Sequence, residues 1–112
     1  YRTYLGITPT SDAQGVLQDI SWSSGYLGYF QSYALGNLYG AQIRSTLLKA
    51  VPDVYEEIRS GNFAPLNDWM QENIFRYGNL FNASETIERI SGKPLGTDDF
   101  LAYLRDKYCG NC

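Results

Sequence analysis

The sequence contains no histidine. That absence removes the commonest protein metal ligand and the commonest general base at neutral pH. Hydrolytic chemistry would have to run on carboxylates, tyrosines or the two cysteines. No run of 18 apolar residues occurs, so no helical membrane span is expected. Basic residues are also few. Nine Lys and Arg stand against twelve Asp and Glu, a net charge of −3, which argues against a phosphate-binding stripe and against nucleic acid as a partner. Cysteine is scarce. Cys109 and Cys112 make one CxxC near the end of the chain, without the second pair a four-ligand zinc site needs. A redox motif would sit at a helix start, so free thiols are expected. No stretch alternates convincingly at period two, which leaves an all-α chain.

Paired carboxylates in an apolar setting are missing too. Glu56-Glu57 and Asp98-Asp99 read as solvated first turns of helices. The chain starts at Tyr1, without Met or a signal peptide, inside an amphipathic phrase, YRTYLG. It is expected to be a piece of a longer polypeptide with material upstream, to reside in the cytoplasm, and to form one helical unit over residues 1–112.

What is abundant lies between Gly15 and Gln42. This stretch gathers Trp22, Tyr26, Tyr29, Phe30, Tyr33 and Tyr39 with five glycines, and its one charged residue is Asp19. Two readings fit: a central buried helix, or the wall of a binding site. Tyr26, Tyr29, Phe30 and Tyr33 recur at spacings of three, four and seven, which predicts one side of a long helix over 25–50. Gly36 and Gly40 inside it suggest another backbone packed close, since each costs roughly 1 kcal/mol against alanine. Trp22 is expected in the core, within an irregular segment over 18–24. Trp69 is likewise expected to be a core anchor.

Around this stretch the punctuation is helical. Gly6 stops an opening turn, and Ser11-Asp12 offers a cap for a short helix over 13–17. Pro52 closes the long helix and begins a second one over 52–60. Pro65 fits the first turn of a third, with Leu66, Trp69, Met70, Asn73 and Ile74 inward, ending at Gly78. Asn82 with Glu85 forms a capping box for a fourth, stopped by Gly92 with Pro94 beyond. Thr97 caps a fifth, whose buried stripe is Phe100, Leu101, Leu104 and Tyr108. Asn82-Ala83-Ser84 is also a glycosylation sequon.

Four phrases carry a resemblance. GVLQDISW is similar to the GxxQDxHW motif of the thermostable carboxypeptidases, the carboxypeptidase Taq family of HExxH zinc metallocarboxypeptidases. GYLGYFQSYALGNLYGAQ resembles that family's GYFPTYALGNLYAAQ. GNFAPLNDWMQENIFRYG resembles GxFxPLxxWLxxNIHxxG, and residues from Ile90 to Tyr108 resemble its closing TGxxL…FLxYLxxKY. The match runs in order from about Tyr4 to Tyr108 and corresponds to the C-terminal part of a longer enzyme.

The resemblance implies the C-terminal portion of a mostly helical peptidase that removes C-terminal amino acids from peptides. The missing N-terminal catalytic portion would be its partner and would hold zinc or another divalent metal. No cofactor is expected in this chain, and the chain alone is expected to be inactive. The resemblance also implies residue roles. Tyr33, twelve residues after Ser21, would donate a hydrogen bond to the oxyanion, with Tyr29 as second choice. Tyr26 would line the substrate cleft, and Gln18 and Asp19 would orient neighbouring groups. Ser21 stands where the motif has histidine, Phe75 where NIHxxG has it, and Gln31 replaces a proline. Serine carries no charge at neutral pH, so the Ser21 departure bears on substrate and transition-state binding. The alternative is a non-catalytic helical interaction module that kept the fold. Its apolar face would drive self-association into dimers or larger.

Overall fold

The structure is a computed structural model that describes residues 1–110; Cys112 and its share of the CxxC reading lie outside the described residues. Helices account for the regular structure, and no strand occurs among the described residues, in agreement with the all-α expectation. Seven α-helices are described: α1 (Arg2–Leu5), α2 (Ile20–Ser23), α3 (Gln31–Ala50), α4 (Val54–Arg59), α5 (Ala64–Asn73), α6 (Ala83–Ser91) and α7 (Asp98–Leu104). Backbone packing divides the chain into a first unit, Tyr1–Tyr33, and a second beginning at Ala34.

The first unit is built from short local turns. α1 ends at Gly6, which takes the left-handed conformation at φ 70°. The expected helix over 13–17 is replaced by two 3₁₀ turns, Asp12–Gln14 and Val16–Gln18, which meet at Gly15. Gly15 is the one buried residue of this unit. A Cβ there would lie 3.2 Å from Pro9 side-chain carbons, so the position has no room for a larger residue without movement. The segment expected to be irregular contains α2, capped by the Asp19 carboxylate, which accepts from the Ser21 N–H at 2.8 Å. Trp22 is not in the core: it is 56% exposed. The long helix begins at Gln31, six residues later than its aromatic spacing suggests. Gly25 and Gly28 both have positive φ, 76° and 73°, and a right-handed helix cannot pass through them.

The second unit has a small buried core of Ala41 and Val54, with Ile87 from α6. Gln42, beside Ala41 on α3, is completely buried. Its amide nitrogen lies 2.8 Å from Ser91 Oγ, 3.2 Å from the Lys93 carbonyl and 3.1 Å from the Pro94 carbonyl. Its oxygen accepts from the Gly96 N–H at 3.1 Å. One side chain therefore fastens α3 to the loop joining α6 and α7. The α6 capping box is present in full. Asn82 Oδ1 accepts from the Glu85 N–H, and the Glu85 carboxylate accepts from the Asn82 N–H. Arg89 lies over the Tyr77 ring at 3.6 Å and donates to the Asn73 carbonyl. Trp69 is half-buried.

Three expectations for this unit are corrected. No atom lies within 4 Å of a Cβ built at Gly36 or Gly40, so no backbone packs there. Of the stripe expected to be buried on α7, Leu101 is 44% exposed on the helix's outer side, and Tyr108 is 71% exposed because beyond Leu104 the helix widens into a π turn over Arg105–Cys109 that rotates the register. Asp99 is not a solvated first-turn acid. Its side chain is 12% exposed and pairs with Lys93 Nζ at 2.7 Å. Lys93 holds this carboxyl below the usual range by hydrogen bonding. Burial opposes that shift, and Ser45 with the charges of Lys93 and Lys49 adds to it. A lowered folded-state pKa gives stability that is fully present above the unfolded carboxyl pKa of about 3.9. That stability is lost as pH falls through the lowered folded value. Urea titrations of wild type and Asp99→Asn should converge in acid, separate as pH rises toward about 4 and keep that separation above it; a difference that does not change with pH would show that the pair contributes nothing.

Candidate functional site

The turn-rich end of the Gly15–Gln42 stretch places its phenols together without a helix. The Tyr29 N–H bonds to the Tyr26 carbonyl at 3.3 Å, Ser32 to Tyr29 at 3.0 Å and Tyr33 to Phe30 at 3.2 Å. These successive i→i+3 turns stack the side chains. The Tyr26 and Tyr29 ring centroids are 5.7 Å apart, and Tyr29 meets Tyr33 edge-on at 5.5 Å. Phe30 supports Tyr33 from the other side at 6.0 Å. Edge-to-face contacts at such distances are favourable beyond the area they bury.

Tyr26, Tyr29 and Tyr33 line a hollow of about 350–400 Å³ together with Ile20, Ser21 and Ser24. Four of the six residues singled out by sequence therefore meet in one place. The other two do not line it. Asp19 reaches it through the Ser21 N–H and itself lines a second hollow, of about 560 Å³, with Trp22 and Phe30. The Gln18 amide donates to the Ala13 carbonyl, which bridges the two 3₁₀ turns. Gln18 and Asp19 thus hold the loop that presents Ser21. Ile20 and Ser24 escaped sequence reasoning. The signal available for them was their spacing of one helical turn from each other on either side of Ser21, which only the α2 helix makes meaningful.

The hollow has no charged residue in its lining. It offers hydroxyl groups set in an aromatic wall. The Tyr33 phenol is raised above its ordinary value, chiefly by its hydrogen-bonding interaction with Tyr29. The charge of a Tyr29 phenolate, partial desolvation and the Asp19 carboxylate push the same way. Tyr33 therefore remains a protonated donor throughout the neutral range. Such a surface can hold an apolar side chain and donate hydrogen bonds to a developing oxyanion. It offers no positive charge to a carboxylate and no general base near pH 7.

The chain has no histidine, and no group of three potential ligands clusters among the described residues. The single described cysteine, Cys109, is exposed.

The family described as Carboxypeptidase Taq (M32) metallopeptidase matches residues 1–108, and the chain belongs to that family. It is 38% identical over 108 residues to Carboxypeptidase 1 of Bacillus subtilis, covering 96% of this chain and 22% of the relative. It is 37% identical over 108 residues to Thermostable carboxypeptidase 1 of Thermus thermophilus, covering 96% and 21%. The solved structure of Pyrococcus furiosus carboxypeptidase superimposes with a TM-score of 0.89 at 33% identity, over 96% of this chain and 22% of that one. The chain thus spans about a fifth of the length of these relatives. The family is one of metallopeptidases, so a metal is implied for the whole enzyme.

Proposed function

We propose that this chain forms the substrate-cleft and oxyanion side of a zinc-dependent metallocarboxypeptidase that removes C-terminal amino acids from peptides in the cytoplasm. The observation that carries this reading is the charge-free hollow in which Ser21, Tyr26, Tyr29 and Tyr33 converge. The Tyr33 hydroxyl is the oxyanion donor, with the Tyr29 ring, edge-on to it at 5.5 Å, holding it in place. Tyr26 and Ile20 receive the apolar part of the substrate, and Asp19 and Gln18 hold the loop. The metal, zinc in this reading, lies in polypeptide outside the stretch matched here. Among the described residues no group of three metal ligands comes together, so in this reading they take no part in activating water.

The reading predicts that the 112-residue chain alone is inert. Calorimetric titration with zinc should show no stoichiometric binding, and amino-acid analysis should find no C-terminal residue released from a test peptide. Stoichiometric zinc held by side chains, or release of amino acids, would overturn the division of labour.

A further inference from the structure

Residues 1–33 contain ordered structure without a core to explain it. Their one buried residue is Gly15, which has no side chain to bury. Thirteen of the twenty exposed large apolar side chains among the described residues lie in this segment, including Tyr4 at 92%, Ile20 at 75% and Leu27 at 73%. Its charges are only Arg2, Asp12 and Asp19. Fixing a backbone costs about 1–2 kcal/mol per residue, and burial must offset that cost. Local helix formation does not help here. α1 and α2 have four residues each, and helices that short are unstable alone in water. The segment from Ala34 onward differs, since it has its own buried residues and the Gln42 clamp.

The length of the relatives points to what supplies the missing cover. Solved relatives match 96–99% of this chain with TM-scores of 0.84–0.91, while the chain accounts for 22–23% of theirs. The path of residues 1–33 is therefore the path this segment follows when the rest of the fold is present. We infer that residues 1–33 take their folded form from docking against the remainder of an M32 fold, through an uncharged apolar surface. Residues 34–110 are folded before that contact. The inference rests on the proposed function and deepens it: the tyrosine wall is assembled by the partner polypeptide whose chemistry it serves. It also makes the two pieces separable and able to rejoin in trans.

The test is amide hydrogen exchange on the 112-residue chain. It is measured alone over a range of concentrations, and again with Carboxypeptidase 1 of Bacillus subtilis lacking its matched 108 residues. Alone, amides around Ala41–Thr46 should be protected and those of 1–33 should exchange freely. With partner at 100 times its Kd, exchange in 1–33 should slow roughly 100-fold. Leu17→Asp, at an exposed position outside the tyrosine hollow, should abolish that slowing and leave 34–110 unchanged. Protection of 1–33 in the dilute chain alone would overturn the inference. So would protection that tracks only the chain's own concentration, a complex in which 1–33 still exchanges freely, or no complex. Because the readout is backbone protection, Tyr33→Phe should leave it unmoved. Failure of docking and failure of the catalytic reading are thus separate results.

Discussion

Gln42→Leu is expected to destabilise the chain by about 3 kcal/mol in urea unfolding. The side chain it removes is fully buried and serves four partners at the end of α6 and the loop after it: Ser91 Oγ, the Lys93 and Pro94 carbonyls and the Gly96 N–H. Leucine fills a similar volume, so the loss is not a cavity effect. It comes from stranding polar groups whose desolvation costs about 1–3 kcal/mol each when unpaired. Lys93 and Pro94 are themselves exposed, so water recovers part of the loss at their carbonyls. That recovery sets the figure below the sum of four full penalties. Gln42→Glu separates geometry from hydrogen bonding. At neutral pH it places a carboxylate against two carbonyls and should be at least as damaging. In acid the protonated carboxyl can donate, and part of the stability should return. A loss below about 1 kcal/mol for Gln42→Leu would mean that the clamp is decorative.

The second large effect is on turnover. In a hybrid carrying this chain in place of the matched 108 residues of Carboxypeptidase 1 of Bacillus subtilis, Tyr33→Phe is expected to lower kcat about 100-fold with KM nearly unchanged. The substitution keeps the ring, and with it the edge contact to Tyr29 and the packing on Phe30. In the proposed role the lost hydroxyl would donate to charge present only in the transition state, so the loss would fall in kcat. Tyr29→Phe keeps the ring against Tyr33 and, in the proposed roles, should cost less. It should also let the Tyr33 phenol fall back toward its ordinary value, since Tyr29 is the main cause of its elevation. An unchanged kcat in the Tyr33→Phe hybrid would remove this hydroxyl from the mechanism.

Much of the fold could be read from punctuation. Gly6, Pro65, Gly92 and the Asn82–Glu85 box act within one turn of chain, so their meaning is local and sequence carries it. The gathering of Tyr26, Tyr29 and Tyr33 was legible too, though for a mistaken reason. Their spacing matches a helix, yet Gly25 and Gly28 turn the chain left-handed and stacked turns bring the rings together instead. A period of three to four does not distinguish these routes. What was not legible depends on distant chain. Gln42 looks like a surface amide, and its partners lie 49 to 54 residues later. Trp22, Gly36 and Gly40 carry the marks of close packing, but nothing among the described residues covers them. Their composition suits a longer protein, of which the relatives' lengths are the measure.

The central claim is that residues 1–108 complete a carboxypeptidase site whose metal lies elsewhere. Release of C-terminal amino acids from a peptide by the folded, metal-loaded hybrid tests it most directly. The account predicts release by the hybrid and none by the 112-residue chain or by the relative lacking its matched stretch. A hybrid that folds, binds metal and releases nothing would contradict it.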